Sequence, residues 1–211
     1  MKHIEKMGEP DDFKEYKKLD GACYCDLPQN VKNNLRAALR LEQGGICCYC
    51  ERGLIGETVI EHIKPKDKGR FPELQLEYSN LVLSCDGGKS ERKKHNRREN
   101  KNYPVFCDAK KNNEIIDVSP LDKDCEEKFA YGEEGEIYGK GEQAVNTIKV
   151  LNLGVPFLKN QRKAVIDSIK NTDLTESEWE EELEFYRKRK ANGDFEPFCT
   201  VAIYYIENFI L

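Results

Sequence analysis

Residues 56–63 read GETVIEHI and residues 80–85 read NLVLSC. The first stretch is rich in β-branched side chains and runs into Pro65, which predicts a short strand ending at Glu61 and His62 and followed by a loop. Lysine, proline and glycine between Lys64 and Tyr78 predict that the loop is exposed, and NLVLSC returns the chain to ordered structure. Just upstream, Cys47-Cys48-Tyr49-Cys50 contains a Cys-x-x-Cys pair. On a tight turn, that spacing lets two thiolates reach one tetrahedral zinc ion at about 2.3 Å each. Cys85 is the expected third ligand and His95 the expected fourth, a Cys3His structural site. Small buried thiols are the plain alternative. The spacing, in a polar segment short of its own core, favours metal.

Between the zinc-binding segments, Glu61 adjoins His62. Phosphodiester hydrolysis needs an activated water and a cation that neutralises the phosphate and the leaving oxygen, and an imidazole near neutrality is a suitable proton acceptor. Glu61 is the expected ligand of a catalytic Mg2+ or Mn2+, and His62 the expected general base. Asn80, on the returning segment, can hold the loop or orient the His62 ring, although asparagine is also an ordinary turn residue. With His95 on zinc, Asn96 is expected near the catalytic metal. If His95 serves the catalytic metal instead, zinc needs Cys48 or a residue outside this segment.

Residues 89–101, KSERKKHNRRENK, carry seven Lys or Arg against two Glu, in a chain whose net charge is -5. A local basic patch can bind phosphate whatever the total. The segment is expected to be helical, and Lys64, Lys66, Lys89, Arg92, Lys93, Arg97 and Arg98 are the expected nucleic-acid contacts.

Elsewhere the pattern is helical. Pro28, Val31, Leu35, Leu39 and the Gly44-Gly45 stop define one amphipathic helix; Val145, Ile148 and Leu151 mark a second, and a third starts at Pro156. A Thr175-x-x-Glu178 capping box starts a fourth, expected to stop at Asn192-Gly193. Residues 129–138, FAYGEEGEIY, read as a small hairpin. The organisation expected is an N-terminal segment and helix over 1–44, a zinc-stapled core over 45–106, and a hairpin with accessory helices over 107–211 that docks a partner. No stretch approaches the roughly 18 apolar residues of a membrane span, and residues 1–20 lack the apolar core of a signal peptide. A cytoplasmic protein is expected, without a disulfide framework for its nine cysteines. Cys23, Cys25, Cys107, Cys125 and Cys199 receive no role.

Taken together, CCYCE, IEHIKPK, Phe71-Pro72-Glu73-Leu74 and NLVLSCDGG resemble the HNH endonucleases of Septu and retron anti-phage systems, with a weaker likeness continuing through SPLD to Leu151-Asn152-Leu153 and Arg162. The resemblance implies an α+β, mostly helical protein with a ββα-metal core, a structural zinc site, and N- and C-terminal helices wrapped around them. It implies an HNH endonuclease acting on DNA or tRNA beside an ABC- or SMC-like ATPase. In retrons a reverse transcriptase and its noncoding RNA-DNA product join them. No G-x-x-x-x-G-K-[ST] loop occurs here, so ATP chemistry is expected on another chain. In the family, zinc is commonly closed by a cysteine followed by a small or polar residue with a lysine nearby, and His95-Asn96-Arg97-Arg98 is taken as the corresponding stretch. The competing reading is a non-catalytic zinc module that binds nucleic acid or an ATPase.

Overall fold

The structure is a computed structural model that describes residues 1–67, 69–93 and 103–211. Among the described residues, helices surround two small two-stranded antiparallel sheets. Helix α1 (Asp11–Lys17) precedes α2 (Gln29–Glu42), which buries Val31, Leu35 and Leu39 at helical spacing. Gly44 and Gly45 end α2, both at positive φ.

Strands β1 (Thr58–His62) and β2 (Leu81–Cys85) pair with Glu61 opposite Val82 and His62 opposite Leu81. Every residue of β2 is buried, because α2 covers it and Gln43 clamps it. The Gln43 side-chain amide donates to the Leu83 carbonyl at 2.8 Å and accepts from the Leu83 N–H at 2.6 Å. The end of α2 thus fixes both the Cys47 turn and the strand carrying Cys85.

Downstream lie α3 (Asp108–Lys111), the hairpin β3 (Phe129–Tyr131) and β4 (Ile137–Gly139), α4 (Glu142–Leu151), α5 (Pro156–Lys170), α6 (Glu176–Arg187) and α7 (Cys199–Tyr205). Thr175 forms the expected capping box, with both reciprocal bonds present. Helix α6 stops at Arg187, earlier than Asn192-Gly193, and Lys188 is already extended. Asp194 instead pairs with Arg40 at 2.9 and 3.0 Å, tying that strand of chain to α2.

A single apolar core runs from Phe13 and Leu35 through Leu81 and Phe106 to Leu158 and Val201. Of the expected basic helix, residues 89–93 are helical, while 94–101 lie outside the described residues.

Candidate functional site

The Cys-x-x-Cys turn is built by local hydrogen bonds. The Cys47 N–H donates to the Arg52 carbonyl at 2.8 Å, the Glu51 N–H to the Cys47 carbonyl at 3.1 Å, and Glu51 takes φ 62°. Cys50 Sγ lies 3.8 Å from Cys85 Sγ. The fourth corner is Cys107, whose Sγ lies 3.9 Å from that of Cys47, and all four sulfurs fall within 4.8 Å of one another. A tetrahedral ion with thiolates at about 2.3 Å separates its sulfurs by about 3.8 Å, so this cluster has the dimensions of a metal site. All four thiols are buried. Burial works against ionising Cys47, but hydrogen bonds from Cys107, Cys48, Cys50 and Cys85 hold it well below the usual thiol range. The Cys85 N–H also donates to the Cys47 sulfur at 3.3 Å. Four buried cysteines can therefore hold a metal ion.

Cys107 corrects the expectation that it has no role. It stands immediately beyond the expected boundary at 106, and it arrives because Gly87 makes room. A Cβ on Gly87 would lie 2.2 Å from the Phe106 carbonyl oxygen, and Gly87 itself sits at φ 63°. The Phe106 N–H donates to the Gly87 carbonyl at 3.0 Å, and the Cys107 N–H to Leu151 at the end of α4 at 2.9 Å. Cys107 takes φ 52°, a strained conformation for a side chain with a Cβ, held by contacts on both sides. His95 and Asn96, the residues expected on the two metals, lie outside the described residues, as do Arg97 and Arg98.

Directly after Cys107, α3 carries Asp108 and Lys111 to the end of β1. Lys111 is fully buried, with its ammonium 2.7 Å from Glu61 Oε1 and donating to the His62 carbonyl at 3.0 Å. The Tyr49 hydroxyl donates to the same Glu61 oxygen at 3.1 Å. Glu61 is pushed up to about 7, mainly by burial; Lys111 pulls it down, and the Asp108 carboxyl pushes it up. Two carboxyl groups facing each other in a half-dry setting supply the hard oxygen donors that Mg2+ or Mn2+ takes.

The His62 ring is buried, and its Nε2 lies 3.0 Å from the Gln75 carbonyl oxygen. A carbonyl only accepts, so this contact places a proton on Nε2 and leaves the Nδ1 lone pair as the basic position. Burial pushes His62 down to about 4; the Gln75 carbonyl and Asp108 oppose that shift, and Lys66 and Lys111 reinforce it. The ring is neutral at physiological pH.

Asn80 directs its side-chain hydrogen bonds into the loop. Its Oδ1 accepts from the Lys64 N–H at 2.8 Å, and its Nδ2 donates to the carbonyls of Lys64 at 3.0 Å and Leu74 at 3.1 Å. It closes the loop after β1, the structural half of what its position suggests. Lys89 lies 3.3 Å from an Asp108 oxygen, and Lys66 stands over the Tyr24 ring at 4.0 Å, so both border the site. Arg92 and Lys93 continue the helical turn begun by Lys89, and Lys64 lies 5.7 Å from the Phe71 ring centroid.

The sequence reading missed Cys107, Asp108 and Lys111. The signal was present in Cys107-Asp108-Ala109-Lys110-Lys111, a cysteine followed by a polar residue with lysines nearby.

No family model matches the chain. A protein of Vibrio cholerae serotype O1 biovar El Tor named "Retron Vc95 putative HNH endonuclease" is 31% identical over 150 residues, covering 67% of each chain. This relative, at 31% identity over two thirds of both chains, makes the chain an HNH nuclease. The chain belongs to the retron-associated HNH endonucleases.

Proposed function

We propose that the chain hydrolyses phosphodiester bonds in DNA or RNA with Glu61, His62 and Asp108. In this reading β1, β2 and α3 form the ββα-metal element, and Cys47, Cys50, Cys85 and Cys107 hold a structural Zn2+. The observation that carries it is the convergence of Glu61 and Asp108 beside His62, with α3 anchored through Cys107 to the thiol cluster. Lys111 and Tyr49 both engage Glu61 Oε1, and Glu61 and Asp108 are the carboxyl groups that would hold a divalent cation. A bound Mg2+ or Mn2+ would neutralise charge on the attacked phosphate and the leaving oxygen. His62, fixed through Nε2, accepts the proton of the attacking water at Nδ1. Lys64, Lys66 and Lys89 engage the backbone phosphates on either side of the cut.

The biological setting follows from the relative's name and the resemblance. The nuclease serves as the effector of a retron, or Septu-type, anti-phage system in the bacterial cytoplasm. It works with an ABC- or SMC-like ATPase and, in a retron, with a reverse transcriptase and its RNA-DNA product. No helix among the described residues is long and apolar enough to cross a membrane. The hairpin and helices beyond α3 form the surface that docks the ATPase, α6 contributing five glutamates between Glu176 and Glu182.

The test is cleavage of DNA and tRNA by the purified protein, with and without its ATPase, in Mg2+ or Mn2+. Cleavage that His62→Ala lowers by about a thousandfold or more supports the reading, since loss of a base alone accounts for 10²–10⁴. Equal cleavage by His62→Ala refutes it.

A further inference from the structure

The N-terminal segment reaches the site through Tyr24. Tyr24 lies between Cys23 and Cys25, and its ring meets the His62 ring edge to face, with centroids 4.6 Å apart and planes at 84°. The Tyr24 N–H donates to the Gln75 side-chain oxygen at 3.1 Å, while the main-chain carbonyl of the same Gln75 accepts from His62 Nε2. One residue of the loop after β1 therefore holds both rings, one through its side chain and the other through its backbone. The turn is closed on its outer side as well. Cys23 and Cys25 are joined by a disulfide, a pairing that replaces the expectation of two separate thiols. Behind Tyr24, the Tyr16 hydroxyl donates to the Cys23 carbonyl at 2.8 Å, and Lys66 stands over the Tyr24 ring.

We propose that Tyr24 is a positioning residue for the nuclease reaction, its ring pressing the His62 imidazole onto the Gln75 carbonyl so that Nδ1 stays aimed at the attacking water. The physical need is specific. A histidine at the last position of a strand has a broad, roughly two-fold torsion at its ring, and a single hydrogen bond to one nitrogen leaves the ring free to swing about that contact. An edge-to-face aromatic neighbour removes that freedom and contributes about 0.5–1.5 kcal/mol as it does so. Burial pushes the Tyr24 phenol up to about 12, against Arg36 and with Glu61 and Asp108, so the neighbour stays neutral and adds no charge beside the base. The segment before α2 is thereby part of the active site rather than a wrapping around it.

The proposal rests on His62 acting as the base, and its test separates the two. Tyr24→Ala is expected to lower kcat about 10- to 100-fold with KM for the nucleic acid unchanged, the scale of a misplaced reacting group. Tyr24→Phe, which keeps the ring, is expected to restore kcat to within about twofold of wild type, as the edge contact alone requires. Gln75→Ala, which frees the Tyr24 N–H but keeps the carbonyl that holds His62, is expected to fall between them. Nitrogen chemical shifts of the imidazoles report the effect without turnover, with only three histidines to resolve. His62 is expected to be a single Nε2-protonated tautomer in the wild type and a mixture in Tyr24→Ala. In a His62→Ala background, Tyr24→Ala is expected to cost nothing further. An unchanged kcat in folded Tyr24→Ala, a loss carried entirely by KM, or an equal loss in Tyr24→Phe overturns the positioning role. If His62→Ala itself cuts normally, the base assignment fails instead, whatever Tyr24→Ala does.

Discussion

Two buried carboxylates, ten residues apart, have been given opposite characters. Glu51 is 2% exposed and Glu61 5%, and each has an ammonium 2.7 Å away, the Met1 amino group for one and Lys111 for the other. Around Glu51 every further neighbour donates. Thr200 gives its N–H at 3.0 Å and its hydroxyl at 2.5 Å, and the Cys199 thiol approaches to 3.7 Å. Burial alone would raise the Glu51 carboxyl, but the Met1 ammonium and the Thr200 donors outweigh it and hold it below its ordinary value. Glu61 faces a second carboxyl, Asp108, and burial carries it up to about 7. Glu51 is saturated and belongs to the scaffold. At Glu61, burial and the Asp108 carboxyl outweigh the Lys111 ammonium.

The contrast can be broken hardest at the thiol cluster that brings Asp108 to Glu61. Cys107→Ser is expected to lose stoichiometric zinc and, with it, cooperative folding, since binding of a structural zinc contributes on the order of 10 kcal/mol. His95→Ala is expected to keep both. Metal content by plasma mass spectrometry, paired with a urea melt, decides it; zinc retained by Cys107→Ser and lost by His95→Ala would return the fourth corner to the histidine.

Next in size are the carboxyl groups themselves. Asp108→Asn is expected to reduce cleavage at least a hundredfold while leaving the urea midpoint within about 1 kcal/mol of wild type, as for a surface-proximal site group. Glu51→Gln is expected to do the reverse, keeping per-molecule activity and losing about 3 kcal/mol of stability, because it strands a buried ammonium. If both variants lose activity and stability together, the division into a scaffold carboxylate and a site carboxylate is wrong.

The pH dependence sharpens the same division. Glu51 has a lowered folded value, so its contribution is present above its unfolded value near 4.5 and is lost as pH falls through the lowered folded value. The Met1 amino group is raised from 8.0 to about 12, with Glu51 and Tyr131 overcoming burial, so its contribution is present below pH 8 and is lost as pH rises towards 12. Stability measured by urea titration should therefore plateau between about pH 5 and 8 in the wild type; in Glu51→Gln the acid limb should be lost and the alkaline limb reversed, because burial then lowers the unpaired Met1 amino group. The smallest effects belong to the rim. Lys64→Ala and Lys89→Ala should each raise KM a few-fold and reduce the salt slope of binding by about one ion. A loss in kcat at fixed KM would move them from phosphate contact into the chemistry.

How much of this was legible in the letters differs from element to element. The helix over Gln29–Glu42, the strand ending at His62, the hairpin over residues 129–139 and the Thr175 cap were all readable, because each is signalled within one or two turns of chain. Cys47, Cys50 and Cys85 were readable as a group from spacing. Cys107 was not, since 22 residues separate it from Cys85 and only Gly87, by admitting the Phe106 carbonyl, allows that return. His95 was expected as the fourth ligand because imidazole suits zinc as thiolate does, and it lies outside the described residues; a lone cysteine carries no spacing signal.

By itself, then, the sequence determined the Glu-His pair at a strand end, three of the four thiols and the helical surroundings, all products of periodicity and short spacing. The tertiary structure alone decided that Asp108 and Lys111 face Glu61, that Asn80 closes a loop, and that Tyr24 lies against the imidazole. Asp108 and Lys111 meet Glu61 across 47 and 50 residues and Tyr24 meets His62 across 38, while Asn80 bonds Lys64 16 residues away. Their partners are chosen by how the core closes, which no local pattern of side chains records.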